Sequence, residues 1–234
     1  LDNGDQVWVI SGDYKRQSDP TCSGFQNTEC DVFVTESTFA LPVYRWPSMD
    51  QVIPELLNWW NSNIKQGRTS ILLCYSLGKA QRIMSEIQNY SDRTVLVHKT
   101  ISLLTKIYEA DGVSFCDWRP IENSKKTLTD ELVIAPPSVG IEFLRQFVNP
   151  EIAMASGWMQ IRGMRKQNKI SQGFVVSDHA DWNGLVQTIE ASKARLVLAT
   201  HGKSSILNRY LENEKKIKSE SLSSFFYNQR QDNR

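Results

Sequence analysis

The sequence has little of what marks most specialised protein classes. No apolar run approaches the roughly 18 residues that a membrane-spanning helix needs. The first stretch lacks the basic start and apolar segment of a secretion signal. Both absences point to a cytoplasmic protein without a membrane partner. The four cysteines, Cys22, Cys30, Cys74 and Cys116, show no metal-type spacing and read as reduced thiols. Neither charge sign dominates: 27 Lys and Arg face 26 Asp and Glu, for a net charge of +1. A wholly polybasic nucleic-acid binder is thereby excluded, so attraction to phosphate must come from local patches. Histidine is scarce as well, with only His98, His179 and His201.

What is present describes an ordinary globular chain. Its 234 residues, 40% apolar and 23% charged, suit one large domain or two small ones. The chain starts at Leu1 and a strand pattern follows almost at once at Val7 to Ile10, which reads as a start inside a domain. Strands are predicted near 6–10 and 30–35. Apolar residues Val52, Ile53, Leu56, Leu57 and Trp60 then recur at helical spacing over 49–64. Further strands are expected at 69–74, 94–97, 131–135 and 152–156, with helices over 79–90 and 101–110. From Gly173 the pattern restarts, with a strand at 174–176, a helix over 182–191, a strand at 195–199 and a helix over 204–214. The tail beyond Lys215 is charged and polar and reads as frayed. Alternation at this spacing predicts an α/β protein built from βαβ units around mainly parallel sheets.

Four polar residues stand out on this map. Asp13, Glu36, His179 and His201 each follow the C-terminal end of a predicted strand, the rim on which α/β proteins assemble their sites. Two carboxylates and two imidazoles suit a divalent metal. A carboxylate can bridge two cations that activate water against a phosphate. A histidine outside the coordination sphere can move a proton near neutral pH, held by a second carboxylate. Each residue also has a plainer reading. Asp13 after Gly12 is a turn residue, Glu36 is solvated, His98 and His201 are strand exits, and Asp178 and Asp181 are helix caps.

The combination is more specific than its members. Gly12-Asp13-Tyr14-Lys15, Thr35-Glu36-Ser37-Thr38, Ser177-Asp178-His179-Ala180-Asp181 and Thr200-His201-Gly202 occur in the order used by the β-CASP branch of the metallo-β-lactamase fold. Tyr75-Ser76-Leu77-Gly78-Lys79-Ala80-Gln81-Arg82, Ala135-Pro136-Pro137 and Ser156-Gly157-Trp158-Met159 narrow the resemblance to the bacterial DNA ligase-associated exonucleases. The resemblance covers essentially the whole chain. It implies a metallo-β-lactamase αββα sandwich, represented by residues 1–42 and 172–234, with a Rossmann-like β-CASP domain inserted at 43–171. Asp13 resembles the carboxylate that bridges the metals and His201 the last metal ligand. His179 resembles the catalytic acid and Glu36 the carboxylate that supports it. Two divalent ions, Zn or Mn, would be the cofactors. The family's His-x-His-x-Asp-His motif does not occur here, so an N-terminal third is expected to be missing and the chain alone to be inactive.

The expected function is therefore metal-dependent hydrolysis of phosphodiesters by a DNA exonuclease, with DNA and an ATP-dependent DNA ligase as partners in repair. The alternatives are an RNA-processing β-CASP ribonuclease and a non-catalytic nucleic-acid-binding module. Candidate substrate contacts are Lys79, Arg82, Ser156 and Arg162. Lys79 and Arg82 begin a helix after Gly78 and suit either a phosphate or a solvated face. Arg162 opens the basic run Arg162, Arg165, Lys166, Lys169, which either tracks a backbone or is a solvated hairpin. Trp158 and Trp182 either stack on bases or pack in a core.

Overall fold

The computed structural model describes residues 1–2, 4–121, 130–163, 170 and 172–232. Arg165, Lys166 and Lys169 of the basic run lie outside the described residues. The chain divides into two compact units. Unit 1 comprises Leu1–Gln17, Gly24–Arg45 and Asp178–Arg234, and unit 2 comprises Ser18–Ser23 and Trp46–Ser177.

Unit 1 is built on a four-stranded parallel sheet of β1 (Trp8–Ile10), β2 (Val32–Ser37), β9 (Leu196–Gly202) and β10 (Lys218–Ser221), adjacent in that order. The central strand β2 is buried throughout, so both faces of the sheet must be covered. On one face, Phe33 and Val197 pack with Leu185 and Ile189 of α5 (Trp182–Ser192) and Leu207 of α6 (Ser205–Tyr210). On the other, Val32, Val34 and Leu198 meet Trp8 together with Leu222 and Phe225 of α7 (Leu222–Asp232). The tail is thus not frayed. β10 pairs with β9 from Lys218 to Ser221, and α7 lies over the sheet. The polar segment Lys-Ser-Glu-Ser has weak strand propensity, and its pairing comes from the neighbouring strand, which local pattern does not reveal.

Unit 2 carries a six-stranded parallel sheet in the order β5-β4-β6-β3-β7-β8. Its strands are β3 (Ser70–Leu73), β4 (Val95–Val97), β5 (Trp118–Pro120), β6 (Leu132–Ala135), β7 (Glu151–Ala155) and β8 (Gln172–Phe174). The helices are α1 (Met49–Lys65), α2 (Lys79–Ile87), α3 (Lys99–Ala110) and the short α4 (Ile141–Arg145). α1 starts where the Gln51 side chain accepts a bond from the Ser48 backbone N–H at 3.3 Å. It buries the stripe Val52, Ile53, Leu56 and Trp60 that its spacing predicts. That stripe joins Leu72, Ile83, Ile134 and Phe174 in the larger core. The strand expected to open the returning segment instead runs from Gln172 to Phe174 and pairs with β7 of this sheet. Its place follows from Phe174, which is buried in that core with its ring against Trp59.

The fold class is therefore α/β with parallel sheets. Among the described residues, no helix is long and apolar enough to cross a membrane.

Candidate functional site

In unit 1 the C-terminal ends of β1, β2 and β9 supply polar residues: Asp13 follows β1, and Glu36 and His201 are the next-to-last residues of β2 and β9. Gly12, at a φ of 60°, allows the turn that presents Asp13. β2 and β9 run side by side, and their register slips between Glu36 and Ser37, where Glu36 faces Thr200 and Ser37 faces Gly202. This bulge re-aims the strand ends. His201 follows at a φ of 54° and Gly202 at 108°. The Ser37 hydroxyl faces the carbonyls of Thr200 and His201 at 2.9 and 2.8 Å, which ties the two strand ends together.

Glu36 lies at the centre of the site and is 1% exposed. A buried carboxylate needs partners for both oxygens, and Glu36 has them. The Tyr14 backbone N–H donates to Oε1 at 3.0 Å, and Oε2 lies 2.7 Å from His179 Nδ1. Asp13 Oδ1 lies 3.9 Å from the same His179 nitrogen and 4.0 Å from His201 Nδ1. Phe39 closes one side of the imidazole, with ring centroids 5.6 Å apart at 70°. The next residue with a placed role is Asp181, which caps α5 by accepting from the Gly184 N–H at 2.8 Å.

The hydrogen bond to Glu36 holds the His179 pKa above the ordinary imidazole value. Partial burial opposes this, while the charges of Glu36, Asp13 and Asp178 add to it. Beneath the site, burial pushes the Tyr14 phenol up to about 12. Its hydroxyl lies 3.2 Å from Thr35 Oγ1.

Asp13, Glu36 and His179 each offer a ligand atom, and these atoms lie within 4.8 Å of one another. This is a possible metal-binding group of one imidazole and two carboxylates. His201 lies beside it on the Asp13 side. All four residues singled out at strand ends thus meet in unit 1. Sequence reasoning missed the Tyr14 N–H, the Ser37 hydroxyl and the Phe39 ring. Ser37 and Tyr14 sit next to chosen residues, but nothing in a linear pattern shows which way their groups face.

The substrate-contact candidates do not form one set. Arg82 is 1% exposed, which corrects both the phosphate and the solvated-face readings. Its guanidinium donates to the carbonyls of Ser177 at 3.3 Å and Ser18 at 3.1 Å, and lies 3.7 Å from Asp19 Oδ2. That ion pair draws residues 18–23 into unit 2. Lys79 is also buried, at 4% exposure, with its ammonium 4.6 Å from the centre of the Tyr75 ring. It lines a cavity together with Ser156 and Trp158. Arg162 is exposed. Trp182 is a core residue, packed edge-on against Tyr210 at 5.0 Å.

The fold and site define an α/β protein with two parallel sheets and a histidine–carboxylate group at the strand ends of one of them. No family model matches the chain. It is 28% identical over 204 residues to a protein of Opitutus terrae described as a probable DNA ligase. That match covers 86% of this chain and 20% of the relative, so the chain spans a fifth of the relative's length. Among solved structures it resembles a protein of unknown function from Enterococcus faecalis V583. The TM-score is 0.56 at 12% identity, over 92% of this chain and 56% of that one. This likeness shows the fold alone.

These findings correct the functional expectation. The motifs pointed to a nuclease, but the named relative is described as a DNA ligase and not as a nuclease.

Proposed function

We propose that this chain is a cation-binding, DNA-associated module that serves a DNA ligase. The ligase association is supported by the 28% identity to the Opitutus terrae protein over most of the chain. The observation that carries the site is the convergence of Asp13, Glu36 and His179 ligand atoms to within 4.8 Å. In this reading unit 1 has the metallo-β-lactamase architecture and unit 2 is the inserted β-CASP domain, in keeping with the motif order.

The donor chemistry fits a divalent cation. Two carboxylates and an imidazole suit Zn or Mn. Asp13 is the accessible donor, with its side chain 55% exposed, whereas Glu36 is buried and anchored. Bound there, the cation would supply positive charge for a backbone phosphate of DNA. Glu36 orients the His179 ring through Nδ1, which leaves Nε2 as the other ring nitrogen to meet a ligand or exchange a proton. Three donors support one cation. The second that the resemblance implies needs further donors, of which His201 is one.

The test strips the chain with a chelator and titrates it with Zn or Mn by calorimetry. DNA binding is then followed by fluorescence anisotropy with and without the cation. The expected result is cation uptake, loss of about tenfold or more in cation affinity in Asp13→Asn, and cation-strengthened DNA binding. A chain that takes up no cation and whose DNA binding ignores Asp13→Asn refutes the reading.

A further inference from the structure

Unit 2 has a cavity of its own, just past the C-terminal ends of β3, β6 and β7. Ligands of open parallel sheets bind at such strand ends. Its volume is about 150 Å³. That is the bulk share of about five water molecules and half the roughly 300 Å³ at which pockets for whole small molecules begin. A planar base fits, and a whole nucleotide does not.

The lining describes the ring. Tyr75, Trp158, Pro137 and Met154 form flat or soft apolar walls. Tyr75 and Trp158 remain 62% and 39% exposed, so two large aromatic side chains stand at the mouth. Aromatic rings placed this way stack on bases in single-strand channels, and methionine sulfur packs well against ring edges. The polar lining consists of Lys79 and Ser156. The Ser156 oxygen accepts from the Trp158 N–H at 3.4 Å and keeps its own proton to donate. A lysine ammonium only donates. A ligand edge that meets Lys79 must therefore accept, while Ser156 can donate to it or accept from it.

We propose that this cavity takes one unpaired base of single-stranded DNA, stacked on Trp158 and Tyr75 with an accepting edge toward Lys79 and Ser156. The proposal rests on the DNA-associated reading and adds a recognition site remote in sequence from the histidine–carboxylate group. An isolated phosphate is disfavoured by the apolar walls.

The experiment uses the full chain and fluorescence anisotropy with short strands of thymidine, adenosine or abasic nucleotides, with free thymidine and inorganic phosphate as competitors. The thymidine strand should bind about tenfold or more tightly than the abasic one, as expected for losing a stacked base. Trp158→Ala should erase that difference without changing abasic binding, and Trp158→Phe should restore most of it. Thymidine should compete and phosphate should not. Equal binding of thymidine and abasic strands, indifferent to Trp158→Ala, overturns the cavity proposal and leaves DNA association standing. Competition by phosphate alone overturns it in favour of an anion site. Failure to bind any strand overturns both the proposal and the reading beneath it.

Discussion

Replacing Gly202 by alanine tests the architecture of the site most directly. A Cβ at this position would lie 2.4 Å from the Ser37 carbonyl oxygen, 2.9 Å from its carbon and 3.1 Å from Thr38 Cα. All three are backbone atoms at or just past the end of the neighbouring β2, so no side chain can swing away. The φ of 108° adds a conformation that alanine avoids. Backbone strain of this kind costs about 1–3 kcal/mol, and forced overpacking about 1–3 kcal/mol more. Together they predict a loss of roughly 2–6 kcal/mol. Gly12 supplies the control within the same unit. Its φ is 60°, but a Cβ added there would meet nothing within 4 Å, so Gly12→Ala should cost only about 1 kcal/mol. Urea unfolding followed by fluorescence reads the difference. With a slope near 2 kcal/mol per molar, the Gly202→Ala midpoint should fall roughly 0.5 M or more below that of Gly12→Ala. Because the bulge also carries Glu36 and His201, cation affinity should fall with it. Stabilities that agree to within about 0.5 kcal/mol of each other, the ordinary spread for surface changes, would refute the close approach at Ser37.

Two further predictions concern buried polar groups. Arg82→Ala should destabilise unit 2 by about 3–5 kcal/mol, because it strands the Asp19 carboxylate in the interior, where the paired side chains are 1% and 2% exposed. Adding Asp19→Asn should recover part of that loss in urea melts, and strictly additive losses would show that the two do not form a pair. The Tyr14 phenol, pushed up to about 12 by burial, keeps its proton in the folded chain after the unfolded chain has released its own near pH 10. Stability from this group is thus fully present below pH 10 and is lost as pH rises toward 12. The loss should reach about 1.4 kcal/mol between pH 9 and pH 11, and Tyr14→Phe should flatten that slope in paired denaturation curves. An unchanged slope would place the phenol in a wetter environment.

Local pattern determined much of what this chain is. The helical recurrence of Val52, Ile53, Leu56 and Trp60 is read by neighbours a few residues away, and α1 forms over Met49–Lys65 accordingly. The βαβ alternation likewise specifies parallel sheets. Strand ends announced by Gly12-Asp13, Thr35-Glu36 and Thr200-His201 placed the candidate residues on one rim. Only the tertiary structure decided what those residues and their neighbours touch. Lys79 and Arg82 read equally as exposed or binding, yet Arg82 is drawn inward by Asp19, far earlier in the chain. The tail folds because β9 offers an edge for Lys218–Ser221 to pair with. Glu36 meets His179 across 143 positions, and the Ser37 hydroxyl meets the His201 carbonyl across 164. Periodicity and capping act over one or two turns, whereas burial, ion pairing and the slip between β2 and β9 arise only when distant segments pack against each other.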